Sequence, residues 1–314
     1  MKKIYTILLS VLSLIIFIFI NFQSTEIKTK RLNKTIRYND HLKNKWMDFS
    51  GGKKGKLIFA DPPYLVIIYL HNGTKKKVFG IKVEGGKGRI NRGKTPRPFW
   101  SYDGTLFSYR YFGNIYVSNE DGLRKIINNS DMDTSNETRW SLINLKGEKY
   151  LFGPSKRGTA IAVSIDNPAN IVEIFPYPII DKHCELTEDG KNIVYNNGNN
   201  IFIASLDIKG VGIKISHGQN CRPCISPMKY AAWLTAPHKS YNLHSITDGK
   251  FVKELKAPLR EEIYRLNWSN KEEFAVHMFG SRGNTRMHIR KISTGESLYV
   301  GNGWDPDLWV GNIK

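Results

Sequence analysis

From residue 97 to the end, this sequence returns to one short pattern about every forty residues, and no other feature constrains its fold as much. Trp100-Ser101, Trp140-Ser141 and Trp268-Ser269 are the clear copies; Leu186-Thr187, Ile225-Ser226 and Trp309-Val310 hold the same place in weaker ones. Their first residues are 40, 46, 39, 43 and 41 apart. A tight turn follows the anchor, as in Tyr102-Asp103-Gly104 and Glu188-Asp189-Gly190. Such turns use an aspartate to cap its own turn and a glycine to take positive φ. Then come an apolar strand (Leu106-Phe107-Ser108-Tyr109, Asn192-Ile193-Val194-Tyr195), a second strand (Asn114-Ile115-Tyr116-Val117, Asn200-Ile201-Phe202-Ile203), often another Asp-Gly or Thr-Gly turn, and a last strand. Four strands at a period of 40–45 residues predict a β-propeller. Helical periodicity is nearly absent after residue 30, which predicts an all-β body.

Pro98-Phe99-Trp100-Ser101-Tyr102-Asp103-Gly104, running into Gly113-Asn114-Ile115-Tyr116-Val117, resembles the repeat of TolB-type, WD40-like bacterial propellers. That unit reads roughly P-x-W-S-P-D-G, strand, N-I-Y-V, D-G. The resemblance spans about 50–314; it is strongest over 97–127, fair over 181–215 and 263–300, and weakest over 137–175. Tyr102 stands where the family has proline, and Pro227-Met228 stand where an Asp-Gly turn belongs. The resemblance implies a fold. It implies no activity, since such propellers host binding modules, accessory domains and some enzymes.

Six blades follow if the ends combine. Residues 57–81 read as three strands without an anchor strand before them, and Trp304–Val310 reads as an anchor strand with nothing after it. Together they make one four-stranded blade, and the C-terminal strand closes the ring and removes open sheet edges. The rival is that Asp48-Phe49-Ser50-Gly51-Gly52 supplies the missing strand itself.

Ahead of this domain (51–314), Ile4–Phe22 is a nineteen-residue uncharged run after Met1-Lys2-Lys3, the length of a bilayer-spanning helix. Residues 1–24 are expected to be an uncleaved signal anchor, a cleaved signal peptide being the alternative. Residues 25–50 are expected to be a basic stalk; over 23–56 ten Lys/Arg face three acids. The sharper reading of that stretch is contact with anionic lipid headgroups or a surface polymer. Basic residues flank the apolar run on both sides, so the positive-inside rule alone would hold the domain in the cytoplasm. Large domains cross regardless of flanking charge, and the expected location is membrane-anchored and extracytoplasmic, in the periplasm or at the cell surface. The chain carries 47 Lys/Arg against 28 Asp/Glu, a net charge of +19. Abundant Lys, Asn and Ile mark this as compositional bias, and no nucleic-acid partner is expected.

Among chemical motifs, Gly88–Thr95 matches G-x-x-x-x-G-K-T. A phosphate-binding loop needs a helix opening at its end, whereas here Pro96 and Pro98 follow. A loop is expected, with no nucleotide and no cofactor. Cys221-Arg222-Pro223-Cys224 lacks a second pair for zinc and a histidine for haem. Cys184, Cys221 and Cys224 precede neighbouring anchors, which leaves open either a cross-blade disulfide from Cys184 to one of the other two or buried thiols. The eight histidines are scattered; His183, His217, His238 and His277 are the candidates for a metal site. No G-x-S-x-G or H-E-x-x-H occurs.

Aligning the anchors exposes the candidate site. Four residues before each anchor Ser or Thr stand Arg97, Glu137, His183, Arg222 and Arg265; Arg139 lies two before its own. In a propeller these strands line the central channel, so the side chains are expected to ring one mouth, with Asp305 and Asp307 as acids that decide its net charge. If both acids pair with Arg97 or Arg265, the mouth is near neutral. If they turn away, it is cationic and attracts carboxylates, sulfates or phosphates. The expected function is a non-enzymatic binding or scaffold propeller of the cell envelope, recognising an anionic ligand or a protein partner. The alternative is a metal-assisted lyase or hydrolase for anionic glycans.

Overall fold

The computed structural model describes residues 27–28, 36–78, 85–86, 89–90, 96–135, 138–180, 183–216, 221–281 and 284–312. The apolar run 4–22 lies outside them; among the described residues no helix is long and apolar enough to cross a membrane.

Two short strands, β1 (Ile27–Lys28) and β2 (Ile36–Arg37), precede a helix α1 (Asp40–Ser50). Blade 1 begins with β3 (Lys54–Asp61), β4 (Tyr64–Tyr69) and β5 (Thr74–Val78). A hairpin of β6 (Gly85–Gly86) and β7 (Arg89–Ile90) follows. The phosphate-loop match shares only Arg89-Ile90 with it, and the rest of that match lies outside the described residues. Blade 2 holds β8 (Phe99–Trp100), β9 (Leu106–Tyr111), β10 (Asn114–Asn119) and β11 (Leu123–Ile127); blade 3 holds β12 (Ser141–Leu145), β13 (Glu148–Pro154), β14 (Ala160–Ser164) and β15 (Ile171–Phe175). Blade 4 holds β16 (Cys184–Leu186), β17 (Asn192–Asn197), β18 (Asn200–Ser205) and β19 (Ile213–Lys214). Blade 5 runs through β20 (Cys221–Ile225), β21 (Tyr230–Leu234), β22 (Ser240–Ser245) and β23 (Phe251–Lys256), and blade 6 through β24 (Ile263–Trp268), β25 (Phe274–Ser281), β26 (Asn284–Lys291) and β27 (Ser297–Asn302). The last strand, β28 (Trp304–Gly311), pairs antiparallel with β3 and completes blade 1. The ring is therefore six four-stranded blades closed by the C-terminus. Residues 48–52 are not the missing strand: they end α1 and turn into β3.

Alternation builds the core. Successive side chains of a strand point to opposite faces, and a blade wedged between two others must be apolar on both. In β3, Leu57 and Phe59 face blade 6 while Ile58 and Ala60 face blade 2. Six apolar clusters result, one at each interface between blades.

The expected stalk is corrected in its second half, where residues 40–50 are helical. Asn39 caps α1, its Oδ1 accepting the Leu42 N–H at 3.0 Å, and Gly51 ends it at φ 66°. Leu42, Trp46 and Phe49, at i, i+4 and i+7, form a stripe that packs into the cluster between blades 1 and 6. Trp46 is fully buried, with its Nε1–H donating to the Lys53 carbonyl at 2.7 Å and its ring 5.7 Å from that of Phe274. It lies so close over Gly55 that a Cβ there would meet the indole at 2.6 Å. Eleven residues with several charges hide so short a stripe from a sequence reading. Trp46→Ala is expected to lower stability by about 3–5 kcal/mol, as large aromatic truncations in cores do. Denaturant unfolding measures this, and a loss below about 1 kcal/mol would show that α1 is not part of the domain.

Candidate functional site

The innermost strand of each blade has no further strand on its channel side, so its inward N–H and C=O groups need other partners. Polar side chains of these strands supply several of them. Glu185 on β16 accepts the Ile225 N–H at 3.1 Å, and Asp307 on β28 accepts the Trp100 N–H at 2.7 Å. In both pairs a carboxylate from one blade holds the anchor residue of the next. Asn267 donates to the Pro306 carbonyl at 2.5 Å, and Asn270 bonds both backbone groups of Val310.

Four residues of these strands take φ values that L residues seldom adopt: Arg97 (45°), Arg222 (59°), Arg265 (49°) and Asp305 (48°). Register shifts lie at three of them. At the fourth, Arg110 donates to the Pro96 carbonyl while Phe99 pairs with Ser108, leaving one extra residue at Arg97. A bulge re-aims its side chain, and the left-handed conformation costs about 1 kcal/mol or more for a non-glycine residue. Four blades repeat this device at one level, which aims Arg97, Arg222 and Arg265 at the channel together with Asp305.

Their convergence is written in His183. Burial, and then the charges of Arg97, Arg222, Arg265 and Arg139, pull its pKa down to about 3, so the imidazole is neutral at physiological pH. Arg265 is lowered by burial and by the same three arginines, against Asp305. The acids answer only in part. Asp305 pairs with Arg265 at 2.7 Å. Arg139 lies 4.6 Å over the Phe99 ring, pairs with Glu185, and donates at 2.7 Å to Asn267 across the channel. Asp307 turns to the backbone instead; burial lifts its pKa to about 7, and its Oδ1 makes no hydrogen bond among the described residues. Among the described residues, four guanidiniums thus face three carboxylates, one of them half-protonated near neutral pH. Among the described residues no carboxylate pairs with Arg222.

The opposite end is shut. Tyr102 reaches from blade 2 to the Leu186 carbonyl of blade 4 at 3.3 Å. Its own carbonyl accepts from Asn270 at 3.1 Å and from Trp309 at 3.0 Å. The remaining cavity, lined by Phe99, Tyr102, Glu185, Trp268, Asn270 and Asp307, is about 30 Å³, room for a water or two. The Tyr102 side chain thus bars passage along the channel at that end.

The structure thus brings together Arg97, Arg139, His183, Arg222, Arg265 and Asp305, while Asp307 serves the backbone; Glu137 lies outside the described residues. Sequence reasoning missed Glu185, Asn267 and Tyr102. Glu185 directly precedes the Leu186 anchor, two positions from the aligned column. Cys184 and Cys224 are free, buried thiols in different clusters, between blades 3 and 4 and between blades 5 and 6. A bond between those two, one of the expected disulfides, is therefore not made; the Cys221 side chain lies outside the described residues. Among the described residues, the candidate histidines His183, His238 and His277 do not gather. His238 stands against Tyr264, His277 is buried beside Phe279 and His288, and His217 lies outside the described residues. Among the described residues no three His, Cys, Asp or Glu form a group that could hold a metal ion.

No protein-family model matches this sequence, and no curated protein matches it. Solved structures do. TolB from Acinetobacter baumannii superposes with a TM-score of 0.54 at 15% identity, over 84% of this chain and 69% of that one. A putative TolB from Agrobacterium tumefaciens gives 0.54 at 13%, over 83% and 99%. A chain of a nidogen/laminin complex gives 0.55 at 10%, over 82% and 98%. At such identities the likeness concerns the fold, and by fold this chain is a six-bladed β-propeller similar to TolB.

Proposed function

We propose that this chain is a binding propeller of the cell envelope, anchored through residues 4–22 with its domain extracytoplasmic, and that the arginine mouth of the channel takes an anionic group of a polymer or protein partner. The observation that carries this is the convergence of four guanidiniums on His183, with no carboxylate paired to Arg222 among the described residues. A ligand carboxylate, sulfate or phosphate would meet fork-shaped donors in a partly desolvated setting, where charge-assisted bonds are strong. The similar chain of the nidogen/laminin complex belongs to a protein–protein assembly, which supports a partner of that class. Tyr102 shuts the far end, so the ligand docks at a surface and does not thread the ring.

Arg222 carries the test, because Arg265 and Arg139 also hold the ring together. Uronic-acid and sulfated oligosaccharides and acidic peptides are titrated by calorimetry into wild type, Arg222→Ala and Arg222→Lys. Arg222→Ala is expected to weaken binding about 10- to 100-fold, the worth of a bond to a charged group, with lysine intermediate. Affinity is also expected to fall between 50 and 300 mM salt, since partly exposed charges are screened over about 10 Å at 0.1 M. Equal binding by all three proteins, or indifference to salt, removes the mouth as the site.

A further inference from the structure

The N-terminal strands settle on one part of the rim. β1 pairs with the outer edge of blade 2, Ile27 opposite Arg124, and β2 pairs with the outer edge of blade 1, Ile36 opposite Lys75. Ile27–Lys28 and Ile36–Arg37 are thus both fixed to this rim, and the sequence between them carries Lys30, Arg31 and Lys34. Ile27 follows the apolar run by only five residues, and five residues reach at most about 18 Å. The outer edge of blade 2 is therefore held within that distance of wherever Phe22 lies.

The neighbouring rim has a composition that fits an interface between water and lipid. β5 reads Thr-Lys-Lys-Lys-Val. Lys76 turns toward blade 2, 3.9 Å from Asp121, while Lys75 and Lys77 stand on the other face. Their ammonium groups lie over the rings of Tyr38 and Tyr64, at 4.7 and 4.0 Å. Both tyrosines are exposed, at 37% and 40%, and Tyr299 on the adjoining edge of blade 6 is 49% exposed. The Tyr38 hydroxyl lies beside Gly301 of that blade, so the three rings form one patch. Tyrosine belongs at headgroup depth because one end is apolar and the other wet, and lysines beside it extend their charge to lipid phosphates.

We propose that the rim of blades 6, 1 and 2 lies against an anionic bilayer, with Tyr38, Tyr64 and Tyr299 at headgroup depth and Lys75 and Lys77 on lipid phosphates. The inference rests on residues 4–22 being the anchor, and it fixes the attitude of the ring: the channel axis runs along the membrane plane, so that the arginine mouth faces sideways.

The test reconstitutes the full chain in phosphatidylcholine vesicles with and without 30% phosphatidylglycerol. Flotation reads the anchor, and acetylation of surface lysines followed by mass spectrometry reads the rim. Acetylation of Lys75 and Lys77 is expected to slow about five-fold in the anionic vesicles, the effect of one basic residue held at such a surface. Lys191 and Lys209, exposed on blade 4 across the ring, are expected to react equally in both. A chain that floats but shows no difference at Lys75 and Lys77, or shows protection on blade 4 instead, overturns the rim contact and leaves the anchor standing. A chain that floats with neither vesicle overturns both.

Discussion

Glu185→Ala is expected to lower the stability of the domain by about 3–5 kcal/mol, the cost of leaving one partner of a buried ion pair behind. Glu185 is buried, with one oxygen on Arg139 and the other on the Ile225 N–H. Burial raises its pKa, against the pull of Arg139. Truncation strands the Arg139 guanidinium and orphans a backbone donor on the channel edge of blade 5. Glu185→Gln keeps an acceptor for Ile225 and loses only the charge, so about half that loss is expected. An Arg139→Met, Glu185→Leu double variant removes both charges and is expected to recover much of the stability, because apolar replacements of buried pairs are often neutral or better. Denaturant midpoints for the three proteins measure this. A double variant no better than Glu185→Ala would show that the ion pair is not the reason Glu185 matters.

Acid should weaken the fold well before its surface carboxylates titrate. His183 has a folded pKa near 3 and His288 near 4, and the buried His277 is lowered as well. An unfolded histidine takes up its proton near pH 6.5. Between 6.5 and the folded value the unfolded state binds more protons, so stability falls as pH falls through that window. Asp307 works the other way. Its folded carboxyl keeps the proton up to about pH 7, the unfolded one loses it near 3.9, and stability is therefore gained as pH drops from 7 to 4. Three histidines outweigh Asp307 and Glu185, whose pKa burial also raises, and leave a net loss of about 2 kcal/mol between pH 7 and 4 once solvent screening is allowed for. His183→Gln is expected to flatten the slope, and Asp307→Asn to steepen it. A His183→Gln protein with the wild-type slope would mean that burial and the four arginines do not hold the imidazole neutral.

The turns of the blades show how far local rules carry. In blades 2 and 4 the turn aspartate accepts from the anchor hydroxyl, Ser101 to Asp103 at 2.6 Å and Thr187 to Asp189 at 2.6 Å. Blade 5 has Pro227-Met228 there and no aspartate. Glu272, from the corresponding turn of blade 6, accepts from the Ser226 hydroxyl at 3.0 Å and from the Met228 N–H. The sequence shows that the cap is missing; only the neighbouring blade shows what replaces it. Tyr102 is the same kind of case. As a departure from the Trp-Ser-Pro-Asp-Gly turn it looks like drift, yet its ring shuts one end of the channel.

The strand count, the blade period, the Asp-Gly turns and the closing strand were legible in the sequence, because each follows from alternation and turn chemistry within a few residues of chain. The shared level of Arg97, His183, Arg222 and Arg265 was legible too, because five copies of one strand align by their anchors. Alignment says which side chains share a level; it does not say which acids meet them. Glu185 and Asn267 reach Arg139 from the next blade and from the opposite one, 46 and 128 residues away in sequence, and Asp307 spends its carboxylate on a backbone donor 207 residues distant. The docking of α1 was decided in the same way, by a groove that exists only once blades 1 and 6 have come together. The period of the chain fixes the ring, whereas the charge balance at its centre is set by contacts that form only when the ring has closed.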